Sequence, residues 1–170
     1  MLASEKIIDA FNRQIGNELG ASHQYVAIAS YFANEDLDQL SSFFFRQADE
    51  EREHAMKFVH FILDVGGDVK IPEIVAPKHG FQSAAEAVEL SLSWEHEVTQ
   101  QIYDLVDLCQ GEHNHIALRF LDWFVNEQLE EVNTIGTLLG VVKRAGENNL
   151  LYVEDYLARH GVSGPESVAE

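Results

Sequence analysis

The sequence predicts an all-α protein, an antiparallel four-helix bundle with one long crossover between the second and third helices and a short fifth helix near the C-terminus. Apolar residues recur at helical spacing along most of the 170-residue chain, and only three prolines interrupt it. One long connection without helical spacing separates two helix pairs that short turns join. We assign residues 1–160 to this bundle and residues 161–170 to a polar tail.

The first two helices are predicted to form a hairpin. The first covers residues 5–33 and is followed by a turn at residues 34–36. Asp36 with Gln39 resembles a capping box, in which two side chains bind the free amides of a helix start, and would open the second helix. That helix should end at Gly66 and Gly67, because glycine readily adopts the left-handed conformation that terminates many helices.

The next connection determines the topology. It comprises the 18 residues 66–83 and contains Pro72, Pro77 and Gly80. Fully extended, it can reach about 59 Å, whereas a helix of about 28 residues is about 42 Å long. The third helix can therefore begin at the opposite end of the bundle, which gives a single crossover.

The remaining helices carry local signals of their own. Ser83 with Glu86 forms a second capping-box pattern, which opens a third helix that reaches about residue 110. Gly111 breaks the chain briefly. The fourth helix is predicted over residues 113–145 with Gly146 as its end, and a fifth, amphipathic helix is predicted near residues 150–159.

Composition limits the partners and the compartment. Asp and Glu number 29 against 11 Lys and Arg, a formal net charge of −18. Nucleic acid and anionic membranes both require basic surface, so we expect neither as a partner. Cations are favoured, although most of these carboxylates are expected only to maintain solubility. The single Cys109 excludes an internal disulfide and a Cys-rich metal site. With no signal peptide and no apolar run of about 20 residues, the sequence predicts a cytoplasmic protein.

Residues seven apart share one face of a helix, and one apolar row of this kind in the second helix contains a carboxylate. The row is Leu37, Phe44, Glu51, Phe58 and Val65. His54 follows one turn after Glu51 on the same face. A buried carboxylate is costly unless it is paired or binds a metal, and neither Lys nor Arg occupies this row. The interruption predicts a cation from outside the chain.

Comparable rows occur on the other helices. On the first helix, Glu18 interrupts the row Phe11, Tyr25 and Phe32, and on the fourth the interrupting residues are Glu127, Gln128, Glu130 and Glu131. On the third helix Glu97 is the candidate, in a row that is only half apolar. Taken singly, Glu97 and Glu130 are better interpreted as boundary or surface residues. All these positions lie near mid-helix, so together they predict one oxygen-rich site suited to iron or manganese.

The residues singled out above carry a family resemblance. Glu18, the segment Glu51-Arg52-Glu53-His54, Glu97 and the segment 126–131 together resemble a non-haem, prokaryotic-type ferritin, over about residues 1–160. The resemblance implies a di-iron ferroxidase centre in which Glu18, Glu51 and His54 hold the first iron ion. Glu97 and Glu131 would hold the second, Glu51 would bridge the two, and Gln128 would belong to the centre.

The resemblance also implies roles around this centre. A third iron site would be formed by Glu50, Glu127 and Glu130. Tyr25 and Trp123 match aromatic residues that donate an electron, with packing in the core as the alternative. Arg52 replaces the methionine that binds haem in bacterioferritins, so no haem is expected. His113, His115 and Asp122 would line a pore, or lie on an ordinary surface.

As a whole, the resemblance implies an iron-storage protein. Fe2+ would be oxidised by O2 or peroxide and stored as ferric mineral in a homo-oligomeric cage of 24 chains. Two alternatives remain open: a rubrerythrin-like di-iron peroxidase or oxidase, and a non-catalytic acidic bundle that buffers metal. The first is disfavoured because the fourth helix lacks a Glu-x-x-His motif and the chain lacks Cys pairs.

Overall fold

The computed structural model describes residues 1–161, and within them it contains five α-helices and no strands. The helices are α1 (Glu5–Asn34), α2 (Asp38–Asp64), α3 (Ala84–Gly111), α4 (His115–Ala145) and α5 (Leu150–His160), with one 3₁₀ turn at Glu147–Asn149 before α5. The predicted all-α fold class is confirmed. Of the predicted polar tail, residues 161–170, all but Gly161 lies outside the described residues.

Helices α1 and α2 form one antiparallel hairpin, and α3 and α4 form the other. The end of α2 lies beside the start of α1, since the Leu2 amide donates to the Val65 carbonyl at 2.9 Å. The end of α3 comes to the same end of the bundle, where Asn114 donates to the Leu2 carbonyl at 2.9 Å. Helix α3 therefore begins at the opposite end, as the crossover requires.

Two buried amides on α1 hold the crossover along the bundle. Asn12 donates to the Asp68 carbonyl (3.0 Å) and accepts from the Lys70 amide (2.7 Å). Gln24 makes the same pair of bonds with the backbone of Lys78, at 3.0 and 2.8 Å. Each side chain satisfies backbone N–H and C=O groups of the crossover, because an irregular segment does not pair these groups with one another as a helix does. The crossover is thus fixed at two points along α1.

The structure confirms two of the predicted helix termini and contradicts a third. Gly66 adopts φ +78°, and the amides of Gly66 and Gly67 bond back to α2, so the predicted glycine end is confirmed. Ser83 accepts from the Glu86 amide at 3.0 Å, which confirms the predicted start of α3. The capping box of Asp36 is wrong, because Asp36 itself adopts φ +57° and gives α2 no side-chain cap.

The start of α2 is capped instead from the far end of the chain. The carboxylate of Glu154 on α5 accepts from the amides of Gln39 (2.7 Å) and Leu40 (2.9 Å). A carboxylate at this position also complements the positive end of the helix dipole. Glu147 caps the start of α3 in the same way, through the amides of Ala84 and Ala85. The C-terminal segment therefore stabilises the starts of two long helices.

A glycine on α1 allows the crossover to approach closely. A Cβ at Gly16 would lie 2.3 Å from Cγ of Pro72, and a proline ring cannot rotate away. We expect Gly16→Ala to lower the free energy of unfolding by about 1–3 kcal/mol, because overpacking displaces the backbone. Gly136→Ala is the matched control, since a Cβ there meets nothing within 4 Å. Thermal unfolding of both variants tests this, and equal midpoints would contradict it.

Apolar packing forms two clusters along the bundle axis. One lies towards α5 and includes Phe32 and Phe44, and the other lies towards the N-terminus and includes Phe11 and Phe58. The rows of residues seven apart run through both clusters. Between the two clusters the interior is polar, and this gap contains the predicted site. None of the helices within residues 1–161 has the length and hydrophobicity that a membrane span needs.

Candidate metal centre

Six polar side chains are buried together at the middle of the bundle. Each is at most 4 % exposed, and together they come from all four long helices: Glu18, Glu51, His54, Glu95, Gln128 and Glu131. We call this set the central polar cluster. Five of its members were predicted from the sequence, whereas Glu95 was not.

Glu18, Glu51 and His54 form the first candidate ligand group, with one ligand atom from each lying within 4.8 Å of the others. Oε2 of Glu51 is 3.2 Å from Nδ1 of His54. Glu18 accepts from Nε2 of Gln14 at 2.9 Å through Oε1, while its Oε2 is buried without a partner among the described residues. A buried carboxylate oxygen in this condition is a natural position for a bound cation.

A second group shares the same imidazole. His54, Glu127 and Glu131 again place one ligand atom each within 4.8 Å of the others. Nε2 of His54 is 3.8 Å from Oε1 of Glu127, whose side chain is 26 % exposed. Glu131 is buried and belongs to the interior, whereas Glu127 lies at the edge of the central polar cluster. His54 thus connects the two groups.

Helix α3 contributes Glu95 and not Glu97, which corrects the sequence prediction. Glu97 is exposed, and its described contact is a 3.5 Å hydrogen bond from Gln101. Glu95 is 0 % exposed and accepts a very short hydrogen bond from the Tyr25 hydroxyl. The sequence signal for Glu95 was present, because the row Val88, Glu95, Ile102 and Cys109 is apolar apart from one carboxylate, and all four residues are buried.

Gln128 lies inside the cluster, but its amide nitrogen is directed at α3. Nε2 of Gln128 donates to the carbonyl and to Oε2 of Glu95 and to Oγ1 of Thr99, each at 3.2 Å. In this arrangement Gln128 holds Glu95 in place. The predicted role of Gln128 as a metal ligand would require its amide oxygen to face the centre.

Burial raises the pKa of every carboxyl group in the cluster. Desolvation is the main cause in each case, and neighbouring carboxylates add to it for Glu51 and Glu131. The pKa of Glu95 rises to about 7 and that of Glu131 to about 8, and those of Glu18 and Glu51 are also raised. Burial alone would lower the pKa of His54, but its contacts with Glu127 and Glu51 raise it to about 11. Without a metal ion, the raised pKa values therefore favour the protonated forms of these carboxyl groups and of His54.

The three acids that the sequence analysis assigned to a third iron site, Glu50, Glu127 and Glu130, differ in exposure and in their contacts. Glu50 is exposed, and it accepts a hydrogen bond from Gln47. Burial is the main cause that raises the pKa of Glu50, and the charge of Glu127 adds to it. Glu130 is partly buried and belongs to neither three-residue ligand group. The structure therefore places Glu127 beside the centre through His54, whereas Glu50 and Glu130 belong to neither three-residue group of the described residues.

Two aromatic side chains contact the cluster. Tyr25 is fully buried and donates to Glu95, and its pKa is raised well above the usual range by burial and by that carboxylate. Trp123 is 38 % exposed and lies edge-on to the His54 ring, with 5.4 Å between ring centroids. Arg52, which stands where bacterioferritins have the haem-binding methionine, is exposed, and so are the residues named for a pore, His113, His115 and Asp122.

The chain is similar in sequence to known ferritins. The family model described as a ferritin-like domain matches residues 8–145. Ferritin BfrB of Mycolicibacterium smegmatis is 42 % identical over 146 residues, which cover 86 % of this chain and 80 % of the relative. The bacterial non-heme ferritin of Staphylococcus aureus is 35 % identical over 153 residues, covering 89 % of this chain and 92 % of the relative.

Solved structures share the whole helical arrangement. The open-pore ferritin of the hyperthermophilic archaeon Archaeoglobus fulgidus superposes with a TM-score of 0.89 at 33 % identity. The match covers 92 % of this chain and 97 % of the archaeal chain. A humanized archaeal ferritin gives the same TM-score at 32 % identity. The crossover and the short fifth helix are thus common to the matched folds.

Proposed function

The chain belongs to the ferritin family, as the sequence predicted, and on that premise we propose that it stores iron by oxidising Fe2+ at the central polar cluster. The observation that carries the proposal is the buried group Glu18, Glu51 and His54, in which one carboxylate oxygen of Glu18 has no hydrogen-bond partner among residues 1–161. Glu95 and Glu131 supply further buried oxygens from the facing hairpin. This set offers ligands for two Fe2+ substrate ions, with Glu51 between them.

The ligand chemistry favours oxidation. Carboxylate oxygens are hard, anionic ligands, and they stabilise Fe3+ more strongly than Fe2+. Two Fe2+ ions held together can each give one electron to one O2 molecule, which takes up two protons and becomes hydrogen peroxide. The protons shared by the buried carboxyl groups are displaced as the metal ions bind. Paired oxidation avoids releasing a one-electron product of oxygen.

The supporting residues hold the ligands in place. Tyr25 and Gln128 orient Glu95, and Gln14 orients Glu18. Partners of this kind commonly fix the geometry of metal ligands. We propose Tyr25, which is buried against Glu95, as an alternative electron donor: where a single Fe2+ is bound, the phenol gives O2 the second electron and its proton, a further proton completes hydrogen peroxide, and a tyrosyl radical remains.

The ferric product requires a compartment. We propose that identical chains assemble into a cage, of 24 subunits by family resemblance, that holds the mineral in the cytoplasm. Exposed apolar side chains on several helices provide surface for such contacts, among them Phe45, Leu63 and Leu151. Sedimentation or size-exclusion measurements distinguish a cage from a small oligomer.

An anaerobic titration tests the oxidase function. Fe2+ is added without oxygen, O2 is then mixed in, and ferric product is followed by ultraviolet absorbance. We expect a rapid phase that saturates at two Fe2+ per chain. A slow reaction without saturation would indicate a metal-buffering bundle and would contradict the proposal.

Glu50, Glu127 and Glu130 are proposed to form a third iron site at the edge of the centre. The proximity of Glu127 to His54 supports this placement. We expect Glu130→Gln to retain the rapid phase and to change later turnover or iron release by about 2- to 10-fold, because one outer ligand is lost. Stopped-flow oxidation over successive iron additions measures both phases. Loss of the rapid phase would show that Glu130 belongs to the centre itself.

A further inference from the structure

A pocket of about 330 Å³ lies on the surface where α1, α3 and the crossover meet. Its lining includes Arg13, Asn17, Pro72, Trp94, Glu97 and Gln101. We call it the α1–α3 pocket. The glycines Gly16 and Gly20 also line it, and larger residues there would fill the space beside Pro72 and Trp94. The pocket thus lies over the part of α1 that carries Glu18.

Side chains connect this pocket to the buried centre. Gln101 donates to Glu97 at 3.5 Å and accepts from Nε2 of Gln14 at 3.2 Å. The same Nε2 of Gln14 donates to Oε1 of Glu18 at 2.9 Å. Gln14 is only 2 % exposed. A continuous series of hydrogen bonds therefore leads from the exposed carboxylate of Glu97 to Glu18, a ligand of the proposed centre.

Gln14 differs from the other buried amide side chains of α1 in its hydrogen-bond partners. The other buried amides of α1, Asn12 and Gln24, hold the backbone of the crossover. Within residues 1–161, the side chain of Gln14 instead hydrogen-bonds other side chains, namely those of Glu18, Asn17 and Gln101. Its amide can rotate to present oxygen in place of nitrogen. Beyond it, Oε2 of Glu18 is buried and has no hydrogen-bond partner in the described part of the chain.

We propose that the α1–α3 pocket admits Fe2+ from the surface directly to the centre within one chain, with Glu97 as the capture residue and Gln14 and Gln101 as the oxygen-bearing steps. The proposal rests on the function proposed above. The charged groups lining the pocket are Arg13, Glu73 and Glu97, so acids outnumber bases. A negatively charged cleft raises the rate at which cations arrive. The route assigns a role to Glu97, which the structure removes from the ligand set.

Binding kinetics of Co2+, which is not oxidised here, test the route separately from oxidation. Stopped-flow absorbance on the assembled protein gives the rate of site loading, and equilibrium titration gives the amount bound. We expect Glu97→Gln and Gln101→Leu each to slow loading on the order of 3- to 10-fold, since the first removes the capture charge and the second an amide oxygen of the route. The amount bound should stay that of the wild type.

Asp107→Asn is the matched control, because it removes the same charge from an exposed position on α3 outside the pocket. Slower loading in the two pocket variants alone supports the route. Unchanged rates in Glu97→Gln, which alters only a surface side chain, overturn it, as does equal slowing in Asp107→Asn. Wild-type protein that binds no Co2+ would overturn the proposed centre itself, whereas normal amounts loaded at unchanged rates would overturn only the route.

Discussion

Replacing Glu95 with glutamine is expected to slow the rapid phase of Fe2+ oxidation by about 100-fold or more. The amide has nearly the same size and can still accept from Tyr25, so the fold should persist. It cannot supply a buried negative charge to the metal ions, and it is a weaker ligand for Fe3+ than a carboxylate. The rate loss therefore reports the ligand and not the packing.

Asp107→Asn again serves as the control for this experiment. It lies on the same helix and removes the same formal charge, but its side chain is exposed and remote from the centre. Circular dichroism and size exclusion should give the same result for wild type and both variants. A rapid phase of normal rate and amplitude in Glu95→Gln would remove α3 from the ligand set. Glu51→Gln should slow the rapid phase as severely, because Glu51 is proposed to bridge the two metal ions.

The metal-free protein is expected to become less stable as the pH rises from 5 to 8. Folded Glu95 and Glu131, with pKa values of about 7 and 8, keep protons that the unfolded chain releases above its ordinary value of 4.5. The folded state then binds more protons than the unfolded state, so stability falls with rising pH. His54, with its pKa raised to about 11, acts in the same direction above 6.5, because the unfolded chain loses that proton first.

The expected loss is on the order of a few kcal/mol per chain between these two pH values. Thermal unfolding of metal-free protein at pH 5 and pH 8 measures it. The double variant Glu95→Gln with Glu131→Gln keeps every other titrating group and should show a much smaller pH dependence. Saturating Co2+ should also flatten the profile, since the metal ion replaces the protons. An identical pH slope in wild type and double variant would contradict the assigned burial of charge.

The sequence predicted the helices because their signals are local. Rows of residues seven apart identified Glu18, Glu51, Glu131 and Gln128, and all four are buried at one level. On α3 the predicted ligand Glu97 is wrong, because its row is only half apolar, whereas the neighbouring row through Glu95 is the apolar and buried one. Both rows pass near Trp94, and the acid-rich segment 95–97 offers two candidates only two residues apart.

Other features depend on contacts that no local pattern contains. Glu154 caps α2 across 114 and 115 positions of sequence, so the cap could not be read from the turn at Asp36. In the sequence, Asn12 and Gln24 look like surface polar residues, and only the folded structure shows that they bind the backbone of the crossover. The path from Glu97 through Gln14 likewise required the packing of α1 against α3. Periodicity gives the buried face of each helix, whereas partners across helices follow only from the fold.

The most direct measurement is a crystal soaked anaerobically with Fe2+, with iron located by anomalous diffraction. We predict two neighbouring peaks in the bundle interior, one bound by Glu18, Glu51 and His54 and the other by Glu51, Glu95 and Glu131. Crystals that retain the hydrogen bonds of the metal-free cluster and show no iron among these side chains would contradict it.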